Sequence, residues 1–292
     1  GSEMCIRDRS FTYDAFVIAL LMLGIALFVT EYLSEEKIQT KRTMVSILAM
    51  VVGCFSKAVY IPFLALYWLM PKDKFYSRRQ KNLFKAGIFV LLILMFASFI
   101  LPLIGNVTSG AEVGDYRGGD TSQTSQLSMI LGYPLTYTGV LLKSLGTTFA
   151  SYFIGSKVLA NFAYRGIYDG IGYFVVLLTM LFTFVTDFGM TEKTYDAQMK
   201  RKILMMKIWN AVLIFGTACL VWTALYLDFT PVGSMVINGV SPRYYLPLIF
   251  PLSLIFINQK VRCSMKLENY QSLIAFLMLI GTGISIYCLM LA

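Results

Sequence analysis

The sequence predicts an all-α polytopic integral membrane protein with about eight membrane-entering helices, two of them short, and further helices lying in the membrane interface. Three observations predict this fold class. Hydrophobic residues make up 57% of the chain, well above the share that soluble domains contain. Several apolar runs approach or exceed the roughly 20 residues that cross a bilayer as a helix. Basic residues collect in short loops between these runs, as expected where Lys and Arg orient membrane helices.

The apolar runs define the membrane-entering segments in order along the chain. They span 11–33, 43–70, 83–104, 166–187, 205–228, 244–258 and 270–291. The basic loops lie at 34–42, 72–85, 191–207 and 259–268. Because Lys and Arg accumulate in cytoplasmic loops, all four loops are predicted to be cytoplasmic.

Segment 43–70 must then leave the cytoplasm and return to it. As one straight helix it would be about 42 Å long, which exceeds the roughly 30 Å of the hydrocarbon core. Gly53, Lys57 and Pro62 interrupt it, and proline cannot continue a helix without a kink. We therefore predict a broken hairpin of two short helices, 43–55 and 58–70, which meet near Lys57 at the outer side. A single tilted span is the alternative.

The middle of the chain is predicted to stay outside. Segment 83–104 exits, and segment 166–187 re-enters to reach the next basic loop, so residues 105–165 form an external loop. Its apolar part is broken by Gly, Ser, Thr, Pro134 and Lys143, which suits one or two amphipathic helices in the outer interface. The chain thus divides into membrane helices 10–104, the external loop 105–165 and C-terminal membrane helices 166–292.

The first nine residues read differently from the rest. Gly1–Arg9 is mixed and charged, and it lacks the apolar middle region of a signal peptide. Back-translation of this stretch resembles the end of a transposase-based sequencing adapter. We therefore treat 1–9 as adapter-derived and non-native, and we expect native sequence to be missing before Ser10.

Composition removes several classes of function. The chain contains no histidine, which excludes imidazole bases and the commonest metal ligand. Its cysteines include no CxxC pair, so they predict neither a disulfide framework nor a zinc site. The net charge of +9 is explained by membrane orientation rather than by nucleic-acid binding. The many aromatic residues fit interface belts and helix packing first, with sugar stacking as a second use.

Two basic residues stand out on the predicted outer side. Arg243, in "NGVSPRYYLPLIFP", begins a span, and its planar guanidinium suits phosphate oxygens. The alternative is an interfacial arginine that reaches lipid headgroups beside Tyr244 and Tyr245. Lys57 lies at the turn of the hairpin, where an ammonium group is costly unless an anion pairs with it or it reaches the interface.

Acidic and amide side chains share this predicted outer side. Asp14, in "SFTYDAF", begins the first span and would also suit a helix N-terminus. The Gly-rich stretch "GDYRGGDTSQTSQ" carries Asp115, Arg117, Asp120 and Gln126. These residues are candidates to face a substrate, although most such loops are only solvated.

Four stretches taken together resemble a known family. They are "SFTYDAF", "SKAVYIPFLALYWLMPKDKF", "YRGGDTSQTSQLSMILGYPLTY" and "GVSPRYYLPLIFPL", in that order. The chain resembles domain-of-unknown-function family twenty-one forty-two over nearly all of 10–292. Its members are bacterial membrane proteins predicted to be glycosyltransferases of the GT-C superfamily. The family usually has Gly-Arg-Tyr where this chain has Pro242-Arg243-Tyr244.

The resemblance implies transfer of a sugar from a polyprenyl-phosphate donor to a cell-envelope glycan acceptor at the outer face of the bacterial cytoplasmic membrane. It implies that the catalytic acidic loop precedes Ser10, so that this chain would supply the lipid-carrier groove and the phosphate clamp. Arg243, Lys57, Tyr244 and Tyr60 are then the candidates to bind the lipid phosphate. No cofactor is identified, and a divalent metal is allowed for in the full-length protein. The expected partners are membrane lipid, the donor and the glycan acceptor, and no nucleic acid.

Three other functions compete with this one. A purely structural membrane partner is one, and the predicted outer cluster of polar residues speaks against it. A polysaccharide polymerase of the same membrane class is a nearer alternative, which the sequence does not exclude. A transporter or flippase of lipid-linked saccharides would place ionisable groups near the bilayer midplane between inverted repeats, and the sequence has neither feature.

Overall fold

The computed structural model describes residues 13–109, 120–153, 155–159, 167–168, 170–185, 196–256 and 265–290. Throughout these ranges the regular elements are helices, so the predicted all-α class is confirmed. The α-helices are α1 Tyr13–Leu33, α2 Thr40–Phe55, α3 Arg78–Ser109, α4 Gln123–Gly132, α5 Pro134–Phe153, α6 Ser156–Leu159, α7 Ile171–Val185, α8 Ala197–Phe229, α9 Leu246–Phe256 and α10 Leu267–Met290. Three 3₁₀ helices span Ala58–Leu69, Lys72–Lys74 and Pro242–Tyr245.

Four of the described helices are long and apolar enough to cross a membrane. These spans are Asp14–Leu33, Arg78–Pro102, Ala197–Phe229 and Leu267–Leu289. Their outer faces carry large exposed apolar side chains, such as Leu94 at 61% and Leu279 at 74%. Such faces are costly in water and suit contact with lipid. The chain is therefore a polytopic membrane protein.

The other predicted segments contain shorter helices. Segment 166–187 holds α7, of 15 residues, and segment 244–258 holds α9, of 11 residues. The 11 described residues of α9 span about 17 Å, and the 3₁₀ helix Pro242–Tyr245 directly precedes them. α7 packs against the long helix α10. That segment 244–258 enters the membrane stays a prediction.

Small residues bring the first two helices into close contact. A Cβ on Gly24 would lie 2.5 Å from Met50 Cγ and 3.0 Å from the Ser46 carbonyl oxygen. The Ser46 hydroxyl donates to the Gly24 carbonyl at 2.6 Å. Small side chains permit such approach in membranes, where packing and interhelical hydrogen bonds hold helices together.

The hairpin predicted for segment 43–70 is confirmed. The Tyr67 hydroxyl donates to the Ser46 hydroxyl across 21 positions of sequence, whereas a straight helix would separate them by about 32 Å. α2 and the 3₁₀ helix Ala58–Leu69 therefore run antiparallel. The second arm is a 3₁₀ helix rather than an α-helix. Its 12 residues at about 2.0 Å each match the 16 residues of α2 at about 1.5 Å each.

The base of this hairpin defines one end of the molecule, which we call the Lys74 end. There the Ile38 amide donates to the Lys74 carbonyl at 2.9 Å, and the Tyr32 hydroxyl donates to the Lys202 carbonyl at 3.1 Å. Described parts of three predicted basic loops thus meet at one end. Burial lowers the pKa of the Lys74 ammonium group, and the nearby Glu31 carboxylate counteracts this effect. That this end is cytoplasmic stays a prediction.

The turn of the hairpin, at Ser56 and Lys57, defines the opposite end, the Lys57 end. Helix α8 runs alongside the hairpin between the two ends, and the Trp209 indole donates to the Ala65 carbonyl at 2.9 Å. Helices α4 and α5, from the predicted external loop 105–165, contact the C-terminal half of α8 near this end. Tyr137 of α5, for example, hydrogen bonds Thr223 of α8 at 2.6 Å. The division of the chain into 10–104, 105–165 and 166–292 stays a prediction.

Candidate functional site

A largely buried ion pair joins the hairpin turn to the start of α1. Lys57 lies two residues after the end of α2, and its ammonium group pairs with the carboxylate of Asp14 in the first turn of α1. The two side chains are only 9% and 17% exposed. Two charges withdrawn from water need such a partner, because either one alone would carry most of its desolvation cost.

Tyr244 brings a second cation to this ion pair. The Lys57 nitrogen lies 4.4 Å from the centre of the Tyr244 ring, and the Arg243 guanidinium carbon lies 5.8 Å from the same centre. Both separations lie within the range in which a cation is attracted to an aromatic face. Unlike Lys57, Arg243 is exposed. One aromatic ring therefore holds a buried and an exposed cation together.

Tyr60 fixes the backbone of this arrangement. Its side chain is fully buried, and its hydroxyl donates to the Tyr244 carbonyl oxygen at 2.6 Å. On the other side, the Trp222 indole donates to the hydroxyl of Tyr245. The 3₁₀ helix Pro242–Tyr245 is thus anchored through Tyr60 to the hairpin and through Tyr245 to α8. Direct contact between Tyr60 and a ligand stays a prediction, since its described bond positions Tyr244.

Proline at position 242 fits the local backbone. It begins the 3₁₀ helix Pro242–Tyr245, and proline suits the first turn of a helix because its fixed φ matches and its missing N–H is not needed there. Pro242 therefore places Arg243 and Tyr244 on a regular turn.

We call Asp14, Lys57, Tyr60, Arg243 and Tyr244 the Lys57 cluster. Its two cations and one carboxylate carry a net charge of +1, and of the two cations the Arg243 guanidinium is the exposed one. A phosphate oxygen can be bound by that guanidinium as a planar donor. The ammonium group of Lys57 lies beside the same ring and carries a competing carboxylate. The arrangement can therefore hold an anion through Arg243 first and Lys57 second.

The other predicted site residues do not all join this cluster. Asp115 and Arg117 lie outside the described residues. Asp120 is exposed, and its carbonyl accepts from the Val232 amide at 3.1 Å. Gln126 is fully buried, and its amide nitrogen donates to the carbonyls of Thr230 at 2.9 Å and Pro231 at 3.1 Å.

These contacts give α4 a structural role near the cluster. They tie α4 to the segment that follows α8, some ten residues before Arg243. A substrate-facing role for Asp115, Arg117, Asp120 or Gln126 stays a prediction.

The described residues offer no ligand set for a metal ion. In the ranges given above, no group of three or more Cys, Asp and Glu side chains converges. Cys54, Cys219 and Cys288 are free thiols. A divalent metal in the full-length protein stays a prediction.

Sequence reasoning missed an aromatic group beside the cluster. The Tyr152 ring stacks on Trp222 with centroids 6.2 Å apart and planes at 23°, and Tyr245 lies 6.0 Å from Tyr152. Tyr152 belongs to α5 and Trp222 to α8, so no local pattern links them. Trp222 within an apolar span was the one signal, and it reads equally well as a packing residue.

Comparison with known proteins gives one match. The model of a family described as a predicted membrane protein, DUF2142, matches residues 8–252. The match includes every member of the Lys57 cluster and ends within α9. No curated protein and no solved structure matches the chain.

Proposed function

The chain belongs to the DUF2142 family of predicted membrane proteins, and from this premise we propose that it is part of a membrane glycosyltransferase of GT-C type. The proposed reaction moves a sugar from a polyprenyl-phosphate carrier to a cell-envelope glycan at the outer face of a bacterial cytoplasmic membrane. The observation that carries the proposal is the position of Lys57 and Arg243 over the single ring of Tyr244.

The chemistry of this transfer needs what the Lys57 cluster offers. The polyprenyl phosphate departs as an anion when the bond from its oxygen to the sugar breaks, so preorganised cations stabilise the transition state. Arg243 presents its guanidinium at the surface, and the ring of Tyr244 and the bond from Tyr60 hold that segment in place. The reaction needs no histidine in this role.

Asp14 sets the order in which the two cations act. In the absence of ligand, the Asp14 carboxylate compensates the charge of Lys57. A phosphate bound to Arg243 would compete with Asp14 for the ammonium group of Lys57. The base that takes the proton of the acceptor hydroxyl is assigned, as the resemblance implies, to an acidic loop that precedes Ser10 in the full-length protein.

The positions of the cluster support an outward-facing site. The Lys57 cluster and the convergence of three basic loops lie at opposite ends of the hairpin. If the basic end is cytoplasmic, as the distribution of Lys and Arg predicts, the cluster faces outward. Lipid-linked sugars used for envelope assembly would meet it there.

Substitution of Arg243 tests the proposal. In the full-length protein reconstituted in nanodiscs, Arg243→Ala should weaken the binding of undecaprenyl phosphate roughly 30- to 100-fold, because a charged hydrogen bond is lost. Arg243→Lys should bind with intermediate affinity, since it keeps the charge without the planar fork. Arg79→Ala, an exposed arginine near the Lys74 end, is the matched control and should bind as wild type does.

The same preparation separates the competing functions. Radiolabelled glucosyl phosphoundecaprenol and cell-envelope glycan should yield labelled glycan with the wild type and not with Arg243→Ala. If Arg243→Ala binds undecaprenyl phosphate as tightly as the wild type does, the phosphate does not bind at the Lys57 cluster. Movement of the intact labelled lipid between leaflets, with no transfer, would identify a flippase, and repeated additions to one chain would identify a polymerase.

A further inference from the structure

A cavity lies near the Lys57 cluster. Helix α5, the C-terminal half of α8 and residues 235–240 enclose a volume of about 360 Å³, which is within the range of small-molecule sites. Trp222 lines it and donates to Tyr245, which directly follows the cluster residue Tyr244. The cavity therefore adjoins the segment that carries Arg243.

Two aromatic rings form one wall of the cavity. Tyr152 and Trp222 both line it, and their rings stack at 6.2 Å. Trp222 is only 2% exposed, and its bond to Tyr245 fixes the ring in one orientation. The half-buried ring of Tyr152, which the fixed Trp222 ring supports from behind, offers contact area for the apolar face of a ring-shaped ligand at little entropic cost.

Hydroxyl groups on the face of α5 that also carries Tyr152 form the adjoining wall. Ser144, Thr147 and Thr148 line the cavity, and their spacing of three and four residues puts them on one side of the helix. The Thr147 hydroxyl donates to the Lys143 carbonyl at 3.0 Å, and the Thr148 hydroxyl donates to the Ser144 carbonyl at 2.8 Å. A hydroxyl that donates its proton to its own helix can only accept from a ligand. This wall therefore favours a ligand that is rich in hydroxyl donors.

The ammonium group of Lys143 indicates which ligand charge suits the cavity. Lys143 and Asn238 both line the cavity, and both are exposed. Among the described residues that line the cavity, Lys143 is the one charged side chain. A cationic ligand would meet this ammonium group without a compensating carboxylate there. Neutral or acidic ligands suit the cavity better.

The reverse face of α5 is apolar. Leu142, Leu145 and Phe149 line a groove of about 370 Å³ together with Ile214 and Phe215 of α8. One helix thus separates a hydroxyl-lined, aromatic cavity from a hydrocarbon-lined groove. An amphiphile with a hydroxylated head and a hydrocarbon tail has both of these chemistries.

We propose that the cavity bounded by Tyr152, Trp222 and Thr147 binds the sugar of the lipid-linked donor, and that it selects a neutral or acidic hexose over an amino sugar. This inference rests on the proposed function for the source of the sugar. The phosphate binds at Arg243, and the sugar lies against the half-buried ring of Tyr152, which Trp222 supports from behind. The hydroxyls of α5 accept hydrogen bonds from the sugar, and Lys143 faces any carboxylate.

The test compares bare and glycosylated carriers in the full-length protein in nanodiscs. The probes are undecaprenyl phosphate alone and the same lipid carrying glucose, galactose, mannose, glucuronic acid or glucosamine. Thr147→Trp fills the cavity, and Tyr152→Ala removes half of its aromatic wall. Each variant should weaken the binding of the preferred glycosylated carrier about tenfold. Its affinity for the bare carrier should stay within about twofold of the wild type. Leu135→Trp, on the same helix and 88% exposed, is the matched control.

The charge of the sugar gives a second comparison. Glucuronosyl and glucosaminyl carriers share one ring and differ in the sign of one substituent. The wild type should prefer the acidic sugar, and Lys143→Met should reduce that preference about three- to tenfold. Preference for glucosamine would overturn the assigned selectivity.

The outcomes distinguish failure of the cavity from failure of the proposed function. Equal wild-type affinity for the bare carrier and for every glycosylated one, or equal losses for both in Thr147→Trp, would overturn the sugar site. The phosphate site at Arg243 would then still stand. If no carrier binds, the proposed function fails, and the cavity is tested by free hexoses. Protection of Asn238→Cys from a thiol reagent by those hexoses would support it, and lack of protection would overturn it.

Discussion

The two ends of the hairpin each bury a lysine, and they hold it in different ways. Lys74 is 2% exposed, and its ammonium group donates to the Ser34 hydroxyl and to the carbonyls of Ser34 at 2.6 Å and Glu36 at 3.0 Å. Three oxygen acceptors match the three protons of an ammonium group. Lys74 therefore closes the turn between α1 and α2 onto the turn after the hairpin.

Lys57 is held by chemically different groups. A carboxylate pairs with it and an aromatic ring lies against it, beside an exposed guanidinium that shares the ring. An aromatic face and a carboxylate can exchange for a phosphate more readily than a set of backbone carbonyls can, since the carbonyls cannot move without unfolding their turn. The buried Lys74 is thus held by groups that cannot move without unfolding a turn, and the less deeply buried Lys57 is held by groups that a ligand can displace.

Loss of Lys74 should have the largest effect on stability. Lys74→Met leaves the Ser34 and Glu36 oxygens without their donor, so we expect unfolding to become easier by about 3 kcal/mol. That corresponds to a fall in Tm of roughly 6–12 °C, measured by tryptophan fluorescence of the full chain in detergent. Affinity for undecaprenyl phosphate should not change. Lys72→Met, which replaces an exposed neighbour, is the control. Weaker lipid binding in Lys74→Met would contradict the purely structural role assigned to Lys74.

Loss of Lys57 should mainly affect binding. Lys57→Met should weaken the binding of undecaprenyl phosphate about 20- to 30-fold, or by about 2 kcal/mol. Asp14→Asn should have the opposite sign and tighten binding several-fold, because the competing carboxylate is gone. Equilibrium binding in nanodiscs measures both variants. If both variants weaken binding equally, the ion pair is a structural contact like that of Lys74, and the phosphate does not displace Asp14.

The broad fold followed from features that are local in sequence. Runs of apolar residues located the membrane helices, and the conflict between two basic loops and one segment of 28 residues forced the hairpin. Lys57 marked its turn correctly, whereas Pro62 lies within the second arm. The 3₁₀ geometry of the second arm could not be predicted, because its agreement in length with α2 and the bond from Tyr67 to Ser46 are tertiary features that no local pattern of residues encodes.

The site was less predictable than the fold. Loop charge alone placed Lys57 and Arg243 on one side of the membrane, and the structure brings both to the ring of Tyr244. Asp14 was expected at a helix N-terminus, where it lies, but its pairing with Lys57 depends on how α1 packs on α2. Tyr152 and Trp222 meet only through the packing of α5 on α8, which no spacing in the sequence encodes.

The smallest expected effect concerns the bond that joins the hairpin to Arg243's segment. Tyr60→Phe removes one buried hydroxyl and leaves the Tyr244 carbonyl without its donor, which should cost about 1 kcal/mol. Because Tyr60 positions the backbone without supplying charge, affinity for undecaprenyl phosphate should fall only about three- to fivefold, with little change in its salt dependence. In Lys57→Met the affinity should instead depend less steeply on salt concentration, since a cation is lost.

Tyr67→Phe is the control for this prediction. It also loses a buried hydroxyl but lies towards the Lys74 end, so it should leave binding unchanged. If Tyr60→Phe loses as much affinity as Lys57→Met does, the Tyr60 hydroxyl itself contacts the phosphate. The Lys57 end would then differ from the Lys74 end in this hydroxyl as well as in the groups that hold its lysine.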